Sequence, residues 1–200
     1  MTRITLRFAL SVSIALLAAC AGTPIETEHY YRAQAAPPPA HVPLTQRIIV
    51  EPFEVHGLYS GRPLIYVDAA GVYQQYNYQS WVESPAVMLG SDLLDTLRAA
   101  YGQDAAFSPS ARIAGDLIVR SRLRRFERAQ VRGATQAVLA LEFTVTTPAG
   151  QLLGTVNFAE AAPVNATIAD YVRGQSQLLT KAYAALLPVL DQQLILRAAK

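Results

Sequence analysis

Apolar positions along the chain fall into three kinds of pattern. From Phe8 to Ala19 they run almost unbroken. Between about 46 and 80, and again between 115 and 160, stretches of them alternate with polar positions at the period of two that strands produce. Over 85–101 and about 167–197 they recur at three- and four-residue spacing, the helical period. Gln46–Val55 is therefore expected as the first strand, with Pro52 marking an edge or an end. Leu64–Asp68 and Val72–Tyr78 read as a hairpin about Asp68-Ala69-Ala70-Gly71. Gly115–Glu127, Thr135–Thr147 and Gln151–Glu160 read as an antiparallel meander. In its middle strand Leu139, Leu141, Phe143 and Val145 alternate with Ala140, Glu142, Thr144 and Thr146.

The first helix is signalled at both ends. Ser84-Pro85 supplies a capping hydroxyl and a proline where a missing N–H costs nothing, and Gly102 is a natural stop. Val87, Leu93, Leu94, Leu97 and Tyr101 mark its apolar face, and Asp92 and Asp95 are expected on the wet side. In the second helix, about Thr167–Arg197, Pro188 predicts a kink or a split. The fold class is accordingly α+β: an antiparallel or mixed sheet packed against two helices in a single domain.

The N-terminal pattern is that of a secretory signal, with Arg3 and Arg7 ahead of a short apolar run. Its 12 apolar or small residues fall short of the roughly 20 that span a bilayer. The run closes on Leu17-Ala18-Ala19-Cys20, which contains the one cysteine of the chain. A small-small-Cys ending of this kind is what the bacterial lipoprotein pathway acylates, so Cys20 is expected to become a lipid-modified N-terminus. Each buried methylene contributes about 0.8 kcal/mol, so two or three acyl chains hold a protein on a membrane firmly. Ala21, rather than Asp, follows the cysteine, which favours the periplasmic face of the outer membrane. Residues 1–19 are then the signal peptide. Residues 20–45, with five prolines, are a Pro-rich tether that adds little to the fold and carries a short strand near 29–33. Residues 46–200 are the domain.

Charge narrows the function. Of the 17 Lys and Arg residues, Arg3 and Arg7 lie in the signal, leaving 15 basic against 15 acidic side chains. A neutral protein of this kind is not expected to bind nucleic acid. His29, His41 and His56 have no metal-ligand spacing, and no nucleophile elbow or phosphate loop appears, so neither enzyme, metal nor cofactor is expected. Glu54 and His56 read as a solvated strand end. Two features point to a binding surface. Arg120, Arg122 and Arg124 share one face of a strand, suiting an acidic partner or lipid headgroups, or else forming a solvated face balanced by acids. Tyr73, Tyr76 and Trp81 belong to an aromatic cluster that suits an interface or ordinary core packing.

Several short stretches resemble a known family. Gly61-Arg62-Pro63-Leu64-Ile65-Tyr66, then Trp81-Val82-Glu83-Ser84-Pro85 and a Leu-spaced helix, look like the ABC-type transport auxiliary lipoproteins, the PqiC-like family. Tyr30-Tyr31-Arg32 resembles the family's opening and Leu123-x-x-Phe126-Glu127 its mid-chain strand. Val67-Asp68 depart from it, standing where such proteins often have a basic residue. The resemblance implies an accessory subunit of an envelope lipid-transport system, docked on a periplasmic protein of the mammalian-cell-entry (MCE) type at the outer membrane. A homo-oligomer is also expected. The competing class is an envelope assembly or stress lipoprotein that binds protein partners without handling lipid.

Overall fold

The computed structural model describes residues 26–41 and 46–198. The signal segment, Cys20 and Pro43 lie outside the described residues. In chain order the elements are β1 (His29–Tyr31), β2 (Ile48–Val50), β3 (Glu54–Val55), β4 (Pro63–Val67), β5 (Tyr73–Trp81), α1 (Pro85–Tyr101), β6 (Ala106–Phe107), β7 (Leu117–Val131), β8 (Ala134–Thr146), β9 (Leu152–Pro163) and α2 (Ile168–Ala198). They form one α+β domain with a mixed sheet and two helices.

β7 organises the sheet. One of its edges carries β8 in antiparallel register, and β9 continues the meander beyond β8. Arg132 and Gly133, both with positive φ (51° and 80°), make the two-residue turn between β7 and β8 that matches the twist of a hairpin. Its other edge carries three strands in tandem, all parallel: β2 beside 117–119, β3 beside 122–123 and β4 beside 127–129. The expected first strand is thus two short ones, interrupted where Pro52 cannot donate to a ladder. β5 pairs antiparallel with β4, and β1 adds a parallel outer strand to β5.

Alternation decides which side is buried. Leu117, Val119, Leu123 and Phe126 of β7 and Leu139, Leu141, Phe143 and Val145 of β8 face the helices. An irregularity between Leu123 and Arg125 shifts the parity, so that Phe126 also points inward. Gly174 lets α2 lie close on the sheet: a Cβ there would come within 2.6 Å of Val164 and 3.0 Å of Ala137. α2 runs through Pro188 as one helix, with the proline leaving the Ala184 carbonyl without its helical bond. α1 begins after Ser84, whose hydroxyl makes no capping bond, and ends at Gly102 (φ 106°), whose N–H bonds the Arg98 carbonyl. Its buried face is Met88, Leu89, Leu93, Leu97 and Ala100, with Leu94 packed against it. Val87, expected on that face, is instead exposed.

The segment ahead of β2 departs from a free spacer. After β1, residues 33–41 form a strap along the two helices. Ala33 and Ala35 are buried. The N–H groups of Gln34, Ala35 and Ala36 bond Ser176 Oγ (3.1 Å), Asp92 Oδ2 (3.0 Å) and Thr180 Oγ1 (2.8 Å). His41 N–H reaches the Ala100 carbonyl (2.7 Å), and its ring meets the edge of Tyr101 and the Asp191 carboxylate. The packed unit thus takes in residues that the sequence pattern assigns to the tether. Asp92 is the matching correction on α1. It does not sit on a wet face, because the strap covers it. Burial pushes its carboxyl up to about 6, against the pull of the Ala35 N–H.

Candidate partner-binding surface

The face of the sheet turned away from the helices divides into two parts. Toward the start of β7, the positions alternating with Leu117, Val119, Ser121 and Leu123 point outward: Ile118, then Arg120, Arg122 and Arg124, the three arginines of the sequence pattern. Each arginine meets a carboxylate. Arg120 holds Glu51 through two bonds (2.8 and 3.2 Å), Arg122 holds Glu54 (2.9 Å) and Arg124 holds Glu142 (2.7 Å). Two of these acids come from β3 and the end of β2, and the third lies across the ladder on β8. His56 bonds the other oxygen of Glu54 (2.8 Å). That bond, followed by Arg122, holds the Glu54 carboxyl below its usual range. The stripe is a row of alternating charges rather than a field of one sign.

Past the irregularity the outward positions are Arg125, Glu127 and Ala129. Glu127 is fully buried, because the single helical turn at Gly57–Ser60 lays Tyr59 over it. It accepts bonds from the Tyr59 hydroxyl (2.7 Å), the Phe126 N–H (2.8 Å) and Arg125 Nε (2.7 Å). Burial first, and then the bonded carboxylate, push the Tyr59 phenol far up. Sequence reasoning missed this cluster, since a Glu two residues from an Arg on a strand looks like any solvated pair.

The aromatic candidates separate. Trp81 is a core residue, 1% exposed, stacked on Phe126 with ring centroids 4.8 Å apart. Tyr76 is half-buried on the helix side, packed on Tyr66 (4.6 Å), and its hydroxyl accepts from Arg128 (2.7 Å). Tyr73 faces outward, since it pairs with Val67, which pairs with Ala129. It is 46% exposed. Tyr78 and Tyr30 also face outward: Tyr30 pairs with Ser80, the neighbour of inward-pointing Trp81, and Tyr78 lies two positions on. Sequence reasoning brought Tyr73, Tyr76 and Trp81 together, and the structure sends one to each environment.

A family model described as ABC-type transport auxiliary lipoprotein component matches residues 31–186. A solved structure of a Xanthomonas campestris protein, of the family named DUF330, superposes with a TM-score of 0.70 at 17% identity, covering 84% of this chain and 97% of its own. A second, an uncharacterized protein, gives 0.63 at 18%, covering 80% and 97%. At these identities the two likenesses establish the shared fold. No curated protein matches the chain.

Proposed function

The chain belongs to the ABC-type transport auxiliary lipoprotein family, and from that premise we propose that it is the outer-membrane-anchored accessory subunit of an intermembrane lipid transporter. Acylated Cys20 holds it on the periplasmic face. The domain docks on an MCE-type periplasmic protein of the same system and acts by positioning rather than by catalysis. The observation that carries this reading is the extent of the family match, which begins inside β1, takes in the strap and both faces of the sheet, and ends within α2. The charge ladder agrees with a docking role: its rungs are preformed and lie on the outer face, where a partner of alternating charge finds complementary groups.

The test has two arms on the full-length protein. In cells fed a radioactive fatty acid, Cys20→Ala is expected to lose the label and to leave the outer-membrane fraction. From cross-linked envelopes, the tagged wild-type lipoprotein is expected to co-purify an MCE-domain protein identified by mass spectrometry. Retained label on the Ala variant rules out the anchor. Recovery of other envelope proteins with no MCE-domain protein favours the assembly or stress class.

A further inference from the structure

Large apolar side chains are unevenly distributed over the surface. Of the eight that stand exposed among the described residues, Tyr30, Val72, Tyr73, Tyr78 and Val131 lie on the β1–β5–β4 edge or at the end of the sheet where β4 and β7 stop; Leu58 belongs to the 57–60 turn, Val87 to α1 and Leu152 to the opposite end of the meander. β4 and β7 are parallel, with Val67 opposite Ala129, so the turns at 68–72 and 132–133 close the same end. Val72 and Tyr73 leave one turn, and Val131 and Arg132 enter the other. Monomeric surfaces rarely gather apolar side chains in this way without a use for them.

Chain direction ties this end to the anchor. β1 is parallel to β5, with His29 opposite Gln79 and Tyr31 opposite Trp81. The chain therefore enters β1 from the side on which Tyr78 and the 68–72 turn lie. Eight residues lie between Cys20 and His29, a reach of at most about 30 Å. Between the Ser80 and Tyr73 pairings the sheet advances by the four β4 positions from Pro63 to Val67, because β5 carries extra residues at an irregularity, about 13 Å in the same direction. Because the strap is packed on the helices, the tether is these few residues and not the 25 that precede β2. With Cys20 as the anchor, the domain lies within that reach of the lipid, and the chain enters it from the side of this end.

We propose that the end of the sheet formed by Val72, Tyr73, Val131 and Arg132, with Tyr78 and Tyr30 along the adjoining outer edge, rests in the headgroup region of the bilayer that holds the acyl anchor. The proposal rests on the reading of Cys20 as that anchor. Tyrosine suits such a place, with an apolar ring and a hydroxyl that stays wet, and Arg132 can keep its charge among the headgroups. The acids do not oppose this at the turn: Asp68 is occupied by the N–H groups of Ala70 and Val72 and by Gln74. Glu28, next to β1, is bonded by the Tyr30 hydroxyl, and Arg62 lies 5.0 Å from the Tyr30 ring. With acids and bases both present, the contact depends on apolar and aromatic side chains and needs no anionic lipid.

The experiment uses the full-length acylated protein in vesicles of phosphatidylethanolamine, with or without phosphatidylglycerol. A benzoylphenylalanine cross-linker is placed at Tyr73, Val131, Val87 or Leu152 in turn. Phospholipid adducts are expected at Tyr73 and Val131 in both vesicle types and not at Val87 or Leu152. In the variant Tyr30→Ser, Tyr73→Ser, Tyr78→Ser, the adduct from Val131 is expected to fall severalfold while the fatty-acid label on Cys20 is kept. Equal adducts at all four positions mean a freely tumbling domain and overturn the proposal. Adducts to another protein, or to a second copy, at Tyr73 overturn it in favour of a protein interface. Absence of fatty-acid label from the wild-type protein, read in the same samples, removes the anchor and the proposal with it.

Discussion

The arginine ladder on the outer face and the strap along the helices handle polar groups in opposite ways. The ladder has full charges, close pairs and open solvent: the side chains of its three rungs are between 32% and 54% exposed. The strap meets two carboxylates, two hydroxyls and a backbone carbonyl, and the carboxylate at its centre, Asp92, is only 7% exposed. Water and salt screen the ladder, so each rung contributes little. The bonds of Gln34 and Ala36 are exposed, but that of the Ala35 N–H to Asp92 is shielded from water and costly to leave unmatched. What each contact is worth follows burial, not charge or number.

Glu127 tests that statement most severely, because it sits on the ladder's face but is buried like the strap. Glu127→Ala strips the acceptor from Tyr59, Arg125 and the Phe126 N–H at once. It should cost about 3 kcal/mol, the scale of a buried charged group losing its partners. Urea unfolding followed by circular dichroism measures this. A loss under about 1 kcal/mol would place Glu127 with the exposed rungs and break the comparison.

Asp92 gives the next effect, and it depends on pH. Its folded carboxyl is raised to about 6 from an ordinary 3.8, chiefly by burial. Between those values the native state holds more proton than the unfolded one, so stability falls as pH rises through the window. The fall attributable to this group is of order 3 kcal/mol, and Asp92→Asn should remove it while keeping an oxygen for the Ala35 N–H. Melting temperatures at pH 4, 5, 6 and 7 for both proteins check the sign. Parallel profiles would mean the strap does not shield Asp92 from water.

The smallest effect belongs to the ladder itself. Changing Arg120, Arg122 and Arg124 together to Gln removes three exposed pairs, each worth about 0–1 kcal/mol. Stability should fall by less than about 2 kcal/mol in total, and by less still in high salt. Unfolding at two salt concentrations reads this. A larger, salt-insensitive loss would show that the ladder ties β2 and β3 to β7 more firmly than exposed charges can.

Much of the fold was legible because its signals are local. The Ser84-Pro85 start and Gly102 stop bracket α1 as expected, and the alternation in β8 picks out its buried side residue by residue. The hairpin turn at 68–71 is written in Asp68 and Gly71. What escaped depends on distance along the chain. The partners of Arg120 and Arg122 are Glu51 and Glu54, about seventy residues earlier, and no periodicity links them. The strap escaped for another reason. Ala33, Gln34, Ala35 and three prolines have no repeating pattern, because an extended segment lying in a seam is held through its backbone. The candidate surface was half legible: the tyrosines could be counted, but their sides depend on irregularities in β4–β5 and β7 that shift parity without a sequence mark.

The tandem edge of β7 has a consequence for the order in which the molecule is made. β2, β3 and β4 all add to a strand that begins at Leu117, so β2 and β3 have their main partner, and β4 one of its two partners, more than fifty residues downstream. Only the β4–β5 hairpin and α1 can form on local contacts, and parallel pairing between distant segments is slow. A chain growing from its N-terminus therefore keeps its first hundred residues open until β7 has emerged. The β7–β8–β9 meander then forms on short connections and offers a template to strands already waiting. For a polypeptide that must be threaded across a membrane before it folds, a nucleus at the trailing end delays closure until most of the chain has passed.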